Sequence, residues 1–142
     1  MILRTGDPAY SWQVSNQNVE VLEGIYERWE HGDFRTPVAD GFVLVMDPEF
    51  PESGEHVGPD GVSAYMKRFL GSWERITIKA DEMFDGEDKV LVKVHQVGTG
   101  LASGIAVDLR YFQLWTFDGS TPIRAESIME ESVAMERIGG VQ

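Results

Sequence analysis

The chain has 142 residues, which suits one domain with a real core. Its 24 acidic and 12 basic residues give a formal net charge of −12, which repels phosphate backbones and argues against a nucleic-acid partner. Cysteine is absent, so disulfides and thiol chemistry are excluded, and His31, His56 and His95 lack metal-site spacing, so neither metal nor cofactor is expected.

Residues 1–14 read as an irregular lead-in, 15–138 as the domain and 139–142 as a tail. Met1 to Val14 carries Arg4 and Asp7 and has no apolar signal run. No stretch approaches the roughly 20 apolar residues of a membrane span. The expectation is a soluble, cytoplasmic protein with no membrane partner. Ser15 to Glu30 predicts a helix with Ser15 as its cap; Val19, Leu22, Ile25, Tyr26 and Trp29 make one apolar face. Gly32 ends it. Thr36 to Asp40 is at most a short second helix. Phe42 to Met46 is a short strand ending at Asp47-Pro48, followed by a loop containing Pro51, Gly54 and Gly58. Pro59 to Trp73 reads as the third helix, with Val62, Met66, Phe69 and Trp73 as its buried stripe and Tyr65 at the edge.

The second half is rich in strands: Arg75 to Phe84, Lys89 to Val97, Ile105 to Phe117 and Ile123 to Met129, separated by turns at 85–88 and 118–121 and a loop over 98–104. Glu130 to Ile138 is a last helical turn or a tail. Helices followed by a meander of strands give the α+β class: a cone-shaped, curved antiparallel sheet with about three N-terminal helices packed on its concave face.

Strand parity assigns the faces. Val107, Leu109, Tyr111, Gln113, Trp115 and Phe117 share one face with Val90, Val92, Val94 and Gln96, joined by Ala125, Ser127 and Met129. The register that keeps them together pairs Val92 with Tyr111, Val94 with Leu109 and Gln96 with Val107. It also sets His95 beside Asp108 on the other face. That other face carries Leu91, Phe112, Leu114 and Ile128 at one end. An apolar sheet face wants a cover. The expected cover is a second copy of the chain, a homodimer through the convex face; the alternative is the C-terminal segment with Val133, Met135 and Ile138.

From Asn16 to Arg137 the sequence resembles the SnoaL-like group of the nuclear transport factor 2-like superfamily. The residues that carry the resemblance are Val19 onward through Ile25-Tyr26-Glu27-Arg28-Trp29-Glu30-His31-Gly32-Asp33-Phe34, then Val45-Met46-Asp47-Pro48-Glu49 and Gly58-Pro59-Asp60-Gly61-Val62. The strand Gly104 to Phe117, its Asp118-Gly119 turn and Arg124 complete them. The resemblance implies a cone of helices over a curved sheet with a ligand pocket inside. It does not imply one chemistry, because members include isomerases, polyketide cyclases, dehydratases, epoxide hydrolases and proteins of no known activity.

Within that resemblance, Asp47 matches the general base of ketosteroid isomerase in a Val-x-Asp-Pro pattern; the other reading of Asp47 is an Asp-Pro turn. The position of that enzyme's helix tyrosine is Ile25, and that of its protonated aspartic acid is Gln113, an amide able to donate to an oxyanion. Steroid isomerisation is therefore not supported. Tyr111 is a further hydroxyl donor, and His56, in the loop after Asp47, is a candidate acid or base. Tyr26, Trp29, Phe69, Trp73, Met83, Val92, Leu109, Trp115, Ser127 and Met129 are candidate wall residues for a small apolar molecule, or simply core. Asp108 and Arg110 resemble part of an epoxide-hydrolase set, but parity turns them outward. Three readings stand: a small-molecule-binding domain, a cofactor-free isomerase, cyclase or dehydratase using Asp47 on an apolar carbonyl compound, and a non-catalytic dimeric assembly module.

Overall fold

A computed structural model describes residues 17–138. Ser15, the expected helix cap, and the 1–14 and 139–142 segments lie outside the described residues. The elements, in chain order, are α1 (Gln17–Glu30), β1 (Val43–Met46), β2 (Gly54–Val57), α2 (Gly58–Gly71), β3 (Trp73–Gly86), β4 (Lys89–Gly100), β5 (Ala106–Asp118), β6 (Thr121–Ile128) and α3 (Glu131–Arg137). The six strands form one curved, open sheet in the order β2-β1-β6-β5-β4-β3. This is the α+β cone architecture.

α1 buries the stripe read from its sequence, with Val19, Leu22, Ile25, Tyr26 and Trp29 all turned inward against the sheet, chiefly against β3. Each such aliphatic side chain contributes roughly 1.5–3 kcal/mol by leaving water. The helix stops at Gly32, whose φ of +88° is open to glycine at little cost. The Asp33 N–H returns to the Arg28 carbonyl at 2.9 Å and the Gly32 N–H to the Trp29 carbonyl at 3.0 Å, the paired bonds of a Schellman ending.

Several expectations are corrected. The sheet is mixed, because β1 runs parallel to β6, with Leu44 beside Ala125 and Met46 beside Ser127. Residues 36–40 form no helix; they are part of an irregular connection that ends in a turn, with the Phe42 N–H bonded to the Ala39 carbonyl at 3.0 Å. The expected loop after β1 contains a strand, β2, which folds back antiparallel on β1. Two helices, not three, precede the β3–β6 meander; the third follows it and lies on the opposite face of the sheet. On α2 the deeply buried residue is Tyr65, while Val62, Met66 and Phe69 are only half-buried.

The β4–β5 register differs by two residues from the expected one. Val92 pairs with Gln113, Val94 with Tyr111, Gln96 with Leu109 and His95 with Arg110. A two-residue slip preserves which face every side chain occupies. The inward set is therefore as expected, and His95 still reaches Asp108 at 2.7 Å along the diagonal.

Both faces of the sheet centre are covered, so β4 and β5 lose the buried-exposed alternation of a half-solvated strand. Val90, Leu91 and Val92 are each fully buried, and the whole run Tyr111 to Trp115 is buried too. The larger core lies between the sheet and α1–α2. A smaller one lies on the convex side, where Ala134 and Ile138 close over Leu91, Phe112, Leu114 and Ile128. Those four residues were the expected homodimer surface. α3 of the same chain covers them, which removes the apolar patch on which that expectation rested.

Candidate functional site

The concave side does not pack solid. Between the sheet and the helices lies a cavity of about 1110 Å³. Its floor is made by inward residues of four strands, including Ile78 of β3, Gln96 of β4, Leu109, Tyr111, Gln113 and Trp115 of β5, and Ala125 and Ser127 of β6. Leu44 and Met46 of β1 and Phe50 beyond it form one wall; Tyr65, Met66 and Phe69 of α2 form another. Trp29 and the 32–38 connection close a third side, held by a hydrogen bond from the Trp29 indole N–H to the Thr36 hydroxyl at 2.9 Å.

The wall is chiefly aromatic. Phe50 meets the Tyr111 ring edge-on with centroids 5.2 Å apart, and Tyr65 stacks on Phe69 at 6.0 Å. Rings of this width give apolar surface while a few polar tips orient a ligand. The charged lining residues, Asp33, Arg35, Glu52 and Lys67, are all at least partly exposed and so border the mouth. Asp33 pairs with Arg35 there at 2.9 Å, and hydrogen bonds from Arg35 hold its carboxyl down at about 2.

Polar groups inside are organised in two short chains. In the first, Tyr26 donates its hydroxyl proton to Gln113 Oε1 and accepts the Trp115 indole N–H at 3.0 Å. Gln113 Nε2 then donates to the Ser127 hydroxyl at 3.3 Å. In the second, Tyr111 donates to Gln96 Oε1 at 2.9 Å. Burial pushes the Tyr26 and Tyr111 hydroxyls well above their ordinary range, and that of Tyr65 up to about 12, so all three are neutral donors at physiological pH. No group of three or more His, Cys, Asp or Glu among the described residues is placed to hold a metal ion.

Residues 22–121 match the SnoaL-like domain family. The chain belongs to it. Solved structures agree on the fold. TerC, co-crystallised with polyporic acid, is 18% identical with a TM-score of 0.69, covering 86% of this chain and 98% of its own. A nuclear transport factor 2-like protein from Burkholderia thailandensis is 20% identical with a TM-score of 0.70, covering 84% and 94%. A protein with a ketosteroid isomerase-like fold from Catenulispora acidiphila, in complex with trimethylamine, is 13% identical with a TM-score of 0.67, covering 84% and 92%. At such identities the likeness is one of fold. No curated protein matches the sequence.

In this SnoaL-like domain the residues singled out from sequence separate into two groups. Trp29, Phe69, Trp73, Leu109, Tyr111, Gln113, Trp115 and Ser127 line the cavity. Tyr26, Met83, Val92 and Met129 do not: Tyr26, Met83 and Val92 are buried in the core behind the wall, and Met129 packs against it. Tyr26 still acts on the cavity, through Gln113.

Asp47 and His56 also lie outside the lining. On β1 the inward residues are Leu44 and Met46, so alternation turns Asp47 to the convex side with Val45. There Arg137 of α3 lies 3.5 Å from Asp47 and 3.2 Å from Glu126. Asp47 thus faces α3 on the convex side. His56, on β2, sits with Nε2 2.9 Å from the Glu52 carbonyl and its ring 4.8 Å from that of Tyr65.

Tyr65 and Gln96 line the cavity beyond the residues that the sequence singles out. Helical spacing puts Tyr65 only at the edge of its stripe, and the signal for Gln96 is a lone amide on the inward face among Val90, Val92 and Val94.

Proposed function

We propose that this SnoaL-like domain binds one small, uncharged, mostly apolar molecule in the concave cavity. The observation that supports it is the distribution of polarity: an aromatic wall, a few neutral amides and hydroxyls inside, and charge confined to the mouth. An anion or cation taken inside would lose hydration with no partner of opposite sign, at a cost of several kcal/mol. An apolar body gains about 25 cal/mol for each Å² buried. Asp47 has no part in this reading, because its carboxylate is engaged with Arg137 on the other face.

The test is a titration with the neutral fluorophore N-phenyl-1-naphthylamine, read by its emission and by transfer from Trp29, Trp73 and Trp115 in the wall. Saturable one-to-one binding is expected. Leu109→Trp, which adds bulk to the floor, should weaken it about tenfold or more, the effect of losing roughly 1.4 kcal/mol. Equal affinity in the variant, or no saturable binding to the native chain, refutes the proposal.

A further inference from the structure

The polar end of the cavity contains an amide whose bonding is unfinished. Gln96 is 5% exposed and lines the cavity. Its Oε1 accepts the Tyr111 hydroxyl at 2.9 Å, which fixes the orientation of the amide plane. Its Nε2, with two N–H bonds, has no protein partner among the described residues. Nor is that nitrogen sealed in the core, because no fully buried side-chain N or O lacks a partner. The space it meets is the cavity. Across the floor, Gln113 is held in the same manner: Tyr26 occupies its oxygen, Ser127 takes one N–H, and a second N–H remains.

Each tyrosine thus occupies an amide oxygen and leaves amide N–H bonds, both of those on Gln96 and the second on Gln113, to the ligand. The arrangement presents donors, held in place before binding, in a cavity whose interior carries no charge. We infer that Gln96 is a specificity-determining residue for a neutral hydrogen-bond acceptor, such as a ketone or quinone oxygen on an otherwise apolar ligand, with Tyr111 as its positioning residue. This rests on the cavity being a binding site. A ligand that lacks the acceptor leaves Gln96 Nε2 without a partner, and discrimination of that kind is worth about fivefold or more in affinity.

The experiment uses two probes of similar shape, 2-acetonaphthone and 2-ethylnaphthalene, titrated into the full chain and into Gln96→Met/Tyr111→Phe. The double variant keeps both side-chain shapes and offers a ketone neither the amide N–H groups nor the tyrosine hydroxyl that loss of the amide would free. The ratio of the two affinities cancels general effects on the cavity, and the native chain and variant together form a thermodynamic cycle. The ketone-to-hydrocarbon ratio is expected to fall at least about fivefold in the variant. A ratio within about twofold of the native value overturns the assignment while hydrocarbon binding leaves the cavity reading standing. If neither probe binds the native chain, both fall. Should the variant not fold, the infrared carbonyl stretch of 2-acetonaphthone bound to the native chain decides instead. A hydrogen-bonded frequency, below that in hexane, supports the assignment; the hexane frequency overturns it.

Discussion

Tyr26→Phe removes one oxygen atom and leaves the shape of the core intact. That oxygen joins two groups of β5 to α1: it donates to Gln113 and accepts from the Trp115 indole. Tyr26 and Trp115 are each 3% exposed and Gln113 is 8% exposed. Without the hydroxyl, Gln113 Oε1 and Trp115 Nε1 both lose their partners. An unsatisfied buried group costs about 1–3 kcal/mol, so two would cost about 2–6 kcal/mol. Both residues border the cavity, where water can replace part of the loss, and the lower end, about 2–3 kcal/mol, is expected. In a domain of this size that lowers the melting temperature by roughly 5–10 °C.

Urea denaturation followed by circular dichroism measures it directly. The double variant Tyr26→Phe/Gln113→Leu separates the mechanism from simple packing. With both partners gone, the combined loss should fall short of the sum of the single losses by about 1 kcal/mol or more. A single-variant loss below about 0.5 kcal/mol, the range of neutral surface changes, or strict additivity in the double variant, refutes the network.

Three other outcomes follow from the same structure. Because the hydroxyls of Tyr26, Tyr65 and Tyr111 titrate higher in the fold than the ordinary value near 10, the unfolded chain holds fewer protons in alkali. Stability is therefore whole below about pH 10 and falls above it, by up to roughly 1.4 kcal/mol per pH unit for each tyrosine, checked by urea midpoints from pH 8 to 12. Ala134→Glu puts a carboxylate where α3 is fully buried against the convex core; α3 should release, and dye binding and self-association should appear on size-exclusion chromatography. Gly98→Ala brings a methyl to 2.6 Å from the Arg75 carbonyl oxygen and 2.9 Å from the Trp73 ring, so a loss of about 1–3 kcal/mol is expected by thermal melting.

What could be read from the chain alone was whatever depends on local periodicity. The 3.6-residue stripe from Val19 to Trp29 and the two-residue alternation from Val107 to Phe117 identify inward faces, because backbone geometry by itself links position to direction. The same rule, applied to Phe42, Leu44 and Met46, turns Asp47 outward, whereas the base reading of Asp47 comes from family resemblance alone. Polar Gly54 to Val57 carries no strand signal, and becomes β2 only because β1 lies beside it to pair with.

Parity could not decide the β4–β5 register, since a slip of two residues leaves every face unchanged. Nor could it choose what covers Leu91, Leu114 and Ile128, because an apolar patch is satisfied equally by a second copy or by the chain's own α3. The cavity belongs wholly to the tertiary level. Its 1110 Å³ is the gap left between sheet, α1 and α2 when their side chains meet elsewhere, and a gap is not a property of any one segment. The pairing of Gln96 with Tyr111 likewise exists only once β4 and β5 are aligned, because neither side chain finds the other until distant stretches of backbone are locked together.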